Sequence, residues 1–186
     1  MSEAKDLNRI PQLDPDRAIG KTRRLFDNVR AKFGVVPNLF RVLGNAPAAL
    51  EGYLNLSAAL AHGTLSTKVQ EQIGLTVSES NLCGYCLSAH IFLGGKIGLT
   101  QEEIADAIHA KAADPKTDAI LKLARSIIVQ RGEISDSDLA RARVGGLTDG
   151  EIVETVANVA LNIFMNYLDH VARTVVDFPQ VKPGAA

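Results

Sequence analysis

Residues 114–132, DPKTDAILKLARSIIVQRG, contain the start signal, the periodic apolar positions and the stop signal of an amphipathic helix. Asp114 and Pro115 are typical of an N-cap and a first helical turn, and Gly132 is typical of a helix end. Between them, apolar residues recur every three or four positions, as one buried helix face requires. They are Ile120, Leu121, Leu123, Ala124, Ile127 and Ile128. The stretch therefore predicts a helix that packs into a core.

Helix start signals of the same kind recur along the chain. They stand at Asp14-Pro15, Pro47, Ser66, Thr100 and Thr148. Thr100 and Thr148 are each followed three residues later by Glu, which is the spacing of a capping box. No short Asn-Gly or Asp-Gly turn separates two alternating strands. The pattern predicts an all-α fold.

The first of these helices is predicted to open at Asp14-Pro15 and to end at Gly34. We expect its apolar residues to face the core because they recur at helical spacing. They are Ile19, Leu25, Phe26, Val29 and Phe33.

Length and composition indicate one globular domain. The chain has 186 residues, of which 46% are hydrophobic and 22% charged, so intrinsic disorder is excluded. We assign residues 1–186 to a single domain, with residues 1–13 and 179–186 as its N-terminal and C-terminal tails. Proline and glycine near the C-terminus favour this assignment.

Charge and hydropathy exclude two classes of partner. Twenty Lys and Arg against 21 Asp and Glu give a net charge of −1, which excludes a basic nucleic-acid-binding surface. Every uncharged stretch, including 80–95 and 155–168, is shorter than the roughly 20 apolar residues that span a bilayer. The N-terminal sequence MSEAKD lacks the apolar segment of a secretory signal. We expect a soluble, cytoplasmic protein.

Both cysteines lie in residues 71–90, EQIGLTVSESNLCGYCLSAH, three positions apart. If this part is helical, Cys83, Cys86 and His90 share one face, because their spacings are i,i+3 and i,i+4. A thiol attacks peroxides as the thiolate, and a nearby imidazole can accept its proton. A second thiol condenses with the resulting sulfenic acid before it is oxidised further. The spacing favours a redox-active pair.

Two other uses of these cysteines remain open, namely packing and metal binding. Cys83, Cys86 and His90 with either Glu71 or Glu79 could bind zinc, although structural zinc sites usually draw their ligands from two separated clusters. A c-type haem is excluded because Leu, not His, follows the second cysteine. A thioredoxin-like fold is excluded because no βαβ pattern surrounds the pair. We expect no cofactor and no metal.

The motif resembles that of the alkylhydroperoxidase D-like branch of the carboxymuconolactone decarboxylase superfamily. The family pattern is Glu, eleven residues, Cys, two residues, Cys, three residues, His. Glu71, Cys83, Cys86 and His90 keep every interval. Residues 148–167 are also similar to the closing helix of family members, so the likeness covers about residues 35–175.

The resemblance implies a thiol-dependent peroxidase that reduces hydroperoxides. It assigns Cys86 as the attacking thiol, Cys83 as the resolving thiol, and His90 with Glu71 as the proton relay that ionises Cys86. It also implies an all-helical homo-oligomer, often a trimer or a hexamer, without haem or flavin. A dithiol or a protein would supply the reducing equivalents. The decarboxylase branch lacks the cysteine pair, which disfavours lactone chemistry.

Two alternatives differ in class from a peroxidase. One is a thiol-disulfide reductant without peroxidase activity, and the other is a non-catalytic helical binding protein whose cysteine pair only registers oxidation.

Tyr85 occupies a position where the best-studied type of member has His, and a phenol does not accept a proton near neutral pH. Glu79 competes with Glu71 for the carboxylate role, although Asn81 and Gly84 indicate a helix break between Glu79 and the cysteines.

The closing segment carries two further expectations. Residues 155–168 are predicted to lie in the core or at a contact between subunits, because they are uncharged and apolar on several faces. Polar residues also cluster near the end of this apolar helix, and we expect them to form a structural hydrogen-bond set rather than a catalytic one. They are Asn166, Tyr167, Asp169 and His170.

Overall fold

The structure, a computed structural model, describes residues 8–184, and this part of the chain contains nine α-helices and no strand. They are α1 (Gly20–Phe33), α2 (Asn38–Leu43), α3 (Pro47–Leu60), α4 (Thr67–Ser80), α5 (Gly84–Lys96), α6 (Gln101–Ile108), α7 (Pro115–Val129), α8 (Asp136–Val144) and α9 (Asp149–Ala172). The predicted all-α class is confirmed. Within the described residues, no helix is both long enough and apolar enough to cross a membrane.

Most of the predicted start signals begin helices. Ser66 caps α4 by accepting a hydrogen bond from the Val69 backbone N–H, and Asp114 caps α7 in the same way. Thr100 and Thr148 form complete capping boxes at the starts of α6 and α9. These side chains satisfy backbone N–H groups that have no partner within the helix.

The predicted start of the first helix is wrong. Helix α1 begins at Gly20, and Asp14 instead closes a turn in which its carbonyl accepts the Ala18 N–H at 3.0 Å. Gly20 has a φ of +59°, a conformation that favours glycine and changes the chain direction there. Ile19 therefore precedes the helix and is 85% exposed instead of buried. The predicted end is confirmed, because Gly34 is a left-handed C-cap.

Helix α4 is the centre of the fold and packs against α5, α6, α7 and α9. A larger apolar cluster forms around it, with buried side chains such as Ile73, Leu75 and Leu121. A second cluster forms between α1, α2 and α3, and it also contains Cys83, Tyr85 and Cys86. The cysteine motif thus lies where the N-terminal helices meet the central bundle.

The terminal segments that the structure describes lie along the helices. Arg9 donates a backbone hydrogen bond to Ala172, at the end of α9. Near the other terminus, the Val181 N–H donates to the Ser88 hydroxyl of α5 at 2.9 Å. The remaining parts of the predicted tails, residues 1–7 and 185–186, lie outside the described residues.

The closing helix α9 buries one face and exposes the other. The buried face includes Thr155, Asn158, Val159, Met165 and Asn166. The exposed face is apolar at helical spacing and consists of Val153, Val156, Phe164, Tyr167 and Val171. Residues 155–168 therefore lie only partly in the core of one subunit.

Candidate active site

The cysteine motif begins at a break between α4 and α5. Helix α4 ends at Ser80, and Leu82 has a φ of +55°, so the chain reverses before α5 begins at Gly84. The Cys83 N–H donates to the Ser78 carbonyl oxygen at 2.9 Å, which closes the turn. Because of this break, Glu71 lies one helix back from the cysteines and on a helix that packs against theirs.

Cys83 and Cys86 are both reduced and buried at the N-terminus of α5. Cys83 is the N-cap, and its sulfur accepts a hydrogen bond from the Cys86 N–H at 3.2 Å. The positive end of a helix dipole favours negative charge at this position. However, the hydrogen bond with the Cys86 side chain, burial and the nearby Asp169 charge together raise the pKa of Cys83. Cys83 is therefore held as a thiol.

His90 lies between two acceptor oxygens. Its Nδ1 atom is 2.7 Å from Oε2 of Glu71, and its Nε2 atom is 2.9 Å from Oδ1 of Asn162. The Asn162 amide is oriented by its own N–H, which donates to the Asn158 carbonyl. Both ring nitrogens donate in this arrangement, which suits the protonated imidazolium.

The surroundings of His90 favour its charged form. Burial lowers the pKa of the imidazole, but the charge of Glu71, its hydrogen bond, the charge of Cys86 and the Asn162 hydrogen bond outweigh it. The pKa of His90 is therefore raised. Cys86 contributes without a direct hydrogen bond to His90 among the described residues, so any proton transfer between them needs a small movement or a bridging water.

Gly74 makes room for the His90 ring. A Cβ atom built on Gly74 would lie 2.4 Å from Cε1 of His90, well inside van der Waals contact. Gly74 stands on α4 one turn after Glu71, so the imidazole packs on the α4 backbone beside its carboxylate partner. No signal in the sequence shows that Gly74 is required to leave room for a side chain.

Tyr53 is a further group near the site, and no motif in the sequence identifies it. It lies on α3, with its ring 5.6 Å from that of Phe40. Burial raises the pKa of its phenol, and the charges of Glu71 and Cys86 raise it further. The hydroxyl therefore stays protonated and lies within electrostatic range of both groups.

Tyr85, the residue between the cysteines, has a structural role. Its hydroxyl donates to Oδ1 of Asp177 at 2.7 Å and accepts the Leu39 N–H at 3.1 Å. Burial raises the pKa of this phenol. These contacts join α5 to α2 and to the C-terminal segment, so the hydroxyl is engaged away from the thiols.

The two candidate carboxylates have different partners. Glu71 contacts His90, whereas Oε1 of Glu79 accepts the Gly184 backbone N–H at 2.6 Å. The geometry thus places Glu71, and not Glu79, beside the imidazole. Asn162 and Asp169, both on α9, complete the surroundings of the motif, since Asp169 lies 3.5 Å from the Cys83 sulfur.

Other features of the surface do not coincide with this cluster. A cavity of about 620 Å³ lies between α7 and α8, and its lining includes none of Glu71, Cys83, Cys86 or His90. Among residues 8–184, no group of three or more His, Cys, Asp or Glu side chains is placed to hold a metal ion.

Comparison with known families confirms the predicted resemblance. Residues 47–124 match the sequence model of the carboxymuconolactone decarboxylase family, and this segment contains the whole motif. Among curated protein sequences, none matches the chain. The similarity to the carboxymuconolactone decarboxylase family therefore covers residues 47–124 and includes the cysteine motif.

Solved structures with the same fold include two peroxidase-related proteins. One, described as an alkylhydroperoxidase AhpD core from Ralstonia eutropha JMP134, is 24% identical, with a TM-score of 0.78 over 94% of each chain. The other, from Silicibacter sp. TM1040, is 20% identical, with a TM-score of 0.79 over 94% of each chain. At these identities the likeness establishes the fold.

A third similar structure is that of an enzyme described as a debrominase. The debrominase Bmp8 is 16% identical, with a TM-score of 0.77 over 95% of this chain and 94% of its own. A cysteine-to-alanine variant of Bmp8 has been solved with bound 2,3,4-tribromopyrrole. The fold is thus shared by proteins of more than one described activity.

Proposed function

We propose that this protein is a thiol-dependent peroxidase in which Cys86 attacks a hydroperoxide and Cys83 resolves the product. The observation that carries the proposal is the contact between His90 Nδ1 and Glu71 Oε2 at 2.7 Å. His90 lies one helical turn after Cys86, the second cysteine of a Cys-x-x-Cys pair whose thiols are free. The raised pKa of His90 supports an imidazolium near Cys86, and a reactive thiolate needs such a partner.

In the first step, the Cys86 thiolate attacks one oxygen of the hydroperoxide. The O–O bond breaks, the sulfur becomes a sulfenic acid, and the other oxygen leaves as an alkoxide. The His90 imidazolium protonates this alkoxide, which departs as an alcohol. Glu71 and Asn162 hold the imidazole by both nitrogens and stabilise its charge before this transfer.

In the second step, the Cys83 sulfur attacks the sulfenic acid of Cys86. A disulfide forms, the S–O bond breaks, and the hydroxyl leaves as water after taking up a proton. A dithiol or a protein thiol then reduces the disulfide by exchange and restores the pair. The 3.2 Å hydrogen bond from the Cys86 N–H to the Cys83 sulfur keeps the resolving thiol adjacent to its target.

Intact mass after oxidation tests the assignment of the two cysteines. One equivalent of hydrogen peroxide should lower the mass by about two hydrogens, and a dithiol should restore it. A stable sulfinic acid at Cys86 with Cys83 still free would overturn the resolving role. The fold is shared with a debrominase. A parallel incubation with a brominated pyrrole therefore tests whether peroxide or the brominated pyrrole oxidises the cysteine pair faster.

The pH dependence of Cys86 alkylation tests the relay, in a Cys83→Ser background that leaves one thiol. His90→Ala should slow alkylation of Cys86 at pH 7 by about 10²-fold, because it removes the proposed base. Glu71→Gln should do less, because the base remains, and the double variant should lose little more than His90→Ala. Glu79→Gln is the matched control and should be silent, since Glu79 contacts Gly184 instead.

We also propose that the protein assembles as a homo-oligomer. Five exposed side chains, from Val153 to Val171, form an apolar face along α9. Grouped exposed apolar residues, unlike single scattered ones, are typical of a surface that contacts another protein. Light scattering at micromolar concentration should show more than one copy per particle. A monodisperse monomer would contradict this.

A further inference from the structure

We infer that Asp169 is the general base, and in the reverse direction the general acid, for the resolving thiol of Cys83. Oδ2 of Asp169 lies 3.5 Å from the Cys83 sulfur, which is hydrogen-bonding distance for a thiol donor. The inference rests on the proposed function and adds a second proton relay to it. In the proposed function Glu71 and His90 serve Cys86, whereas the Cys83 sulfur contacts a carboxylate on α9.

The sequence pattern predicts a structural hydrogen-bond set that includes Asp169, but the contacts of its members differ. Asn166 accepts a hydrogen bond from Asn81 at 2.9 Å, and His170 contacts the Asn81 carbonyl at 2.9 Å. These two side chains fix the turn before Cys83. Tyr167 is 56% exposed and belongs to the outer face of α9. Asp169 alone points at a reactive atom.

The polar surroundings of Asp169 are incompletely satisfied. Its Oδ1 atom is buried without a hydrogen-bond partner among the described residues, and so are the side-chain nitrogen of Asn166 and the hydroxyls of Ser78 and Thr174. Ser78 accepts the Cys83 N–H through its carbonyl, so this set surrounds the same turn. Buried polar atoms without partners destabilise a fold, and they are retained where they serve a function or hold water.

The electrostatics suit a carboxylate that exchanges a proton. Burial raises the pKa of Asp169, while the Cys83 hydrogen bond, the nearby N–H and hydroxyl of Thr174 and the charge of His170 oppose the rise. The titratable groups near the carboxylate are Cys83 in the turn before α5 and His170 on α9. A raised pKa brings Asp169 closer to neutral pH, where a general base is most effective.

In the proposed resolving step, one proton moves to Asp169 and one disulfide forms. The Cys83 thiol gives its proton to Asp169 while its sulfur attacks the Cys86 sulfenic acid and the S–O bond breaks. The departing hydroxyl takes a proton from solvent or from His90 and becomes water. In the reductive half, an external dithiol attacks Cys86, which is slightly more exposed than Cys83. The Cys83 thiolate then leaves and takes its proton back from Asp169.

A purely electrostatic role for Asp169 would have the opposite effect on rate. A carboxylate near a thiol disfavours the thiolate, and its charge does raise the pKa of Cys83. Removing that charge would then speed resolution. Removing a general base would slow it. The sign of the change therefore separates the two roles.

Stopped-flow oxidation by hydrogen peroxide, with acid quench and mass analysis, follows both steps in one experiment. Sulfenic acid formation, trapped with a dione reagent, reports the attack of Cys86. The later loss of about two hydrogens reports disulfide formation. The variants are Asp169→Asn and, as the matched control on the same helix, Asp149→Asn, whose side chain is 80% exposed.

Asp169→Asn should leave the first phase unchanged and slow the second about 10²-fold at pH 7, with more sulfenic acid trapped. In the wild type the second phase should be nearly constant between pH 6 and 8, whereas in Asp169→Asn it should rise about tenfold per pH unit. A second phase as fast as or faster than in the wild type would overturn the inference. Absence of the first phase in the wild type would instead overturn the peroxidase proposal.

The wild-type pH profile keeps the inference falsifiable even if Asp169→Asn does not fold. A second phase that rises about tenfold per pH unit in the wild type would show that no internal base acts on Cys83. Circular dichroism and the first-phase rate report whether each variant retains the native site.

Discussion

The Nε2 atom of His90 lies 2.9 Å from Oδ1 of Asn162, so the imidazole is held from the side opposite to Glu71. The Asn162 amide cannot turn over without losing its bond to the Asn158 carbonyl, which fixes an acceptor oxygen toward the ring. A ring between two acceptors satisfies both only when it carries two protons. Asn162 thus favours the protonated form of His90.

Asn162→Leu should lower the pKa of His90, because it removes an acceptor that favours the charged ring. Alkylation of Cys86 at pH 7 should slow by about tenfold, less than in His90→Ala. NMR titration of the imidazole measures the first effect directly. Asn28→Leu, on the exposed side of α1, is the control. An unchanged His90 titration would show that Asn162 only packs.

Gly74→Ala should displace the His90 ring, because the new methyl group would lie 2.4 Å from Cε1. We expect a loss of about 1–3 kcal/mol in unfolding free energy and a fall in Cys86 reactivity at pH 7. Gly52→Ala in α3, with nothing within 4 Å of its Cβ, should instead be neutral or stabilising. Equal thiol reactivity in both variants would mean that the ring position does not control the thiol.

Tyr85→Phe should destabilise the protein without changing the thiol. It removes the acceptor of the buried Leu39 N–H, which costs about 1–3 kcal/mol. Tyr167→Phe, at an exposed hydroxyl, should cost much less. Urea denaturation and Cys86 alkylation measure the two properties separately. A shifted alkylation profile with unchanged stability would place Tyr85 in the proton relay instead.

His90 should make stability depend on pH with a definite sign. Because its pKa is raised on folding, the folded state binds a proton more tightly than the unfolded state does. The stabilisation should be complete below about pH 6.5, the unfolded value, and should be lost as the pH rises through the folded value. Unfolding free energies of the wild type and His90→Gln should therefore converge with rising pH. Divergence with rising pH would show that the net shift has the opposite sign.

Several helix starts were predictable because local capping chemistry decides them. Ser66, Thr100, Asp114 and Thr148 each cap the helix that they were expected to cap, because a capping bond depends on residues three positions apart. The start of α1 was not predictable in this way, because an Asp side chain such as that of Asp14 caps a turn as readily as a helix. Helices α2 and α8 are short, and α8 buries only Ala142, so neither has a strong apolar period.

The core of the site was predictable for a similar reason, since Cys83, Cys86 and His90 lie within one turn and one helix. The assignment of Glu71 depended on the spacing of the family motif, because the contact between Glu71 and His90 joins two helices, α4 and α5. Asn162, Asp169 and Tyr53 reach the motif from α9 and α3. Their positions depend on how whole helices pack, which no short sequence pattern encodes.

The central claim is that Cys86 is the thiol that attacks peroxide, and stopped-flow consumption of hydrogen peroxide without added reductant tests it most directly. The wild type and Cys83→Ser should each consume about one equivalent in a rapid first turnover, since both retain Cys86 and its relay. Cys86→Ser should consume none on that timescale. Rapid consumption by Cys86→Ser, or none by the wild type, would contradict the account.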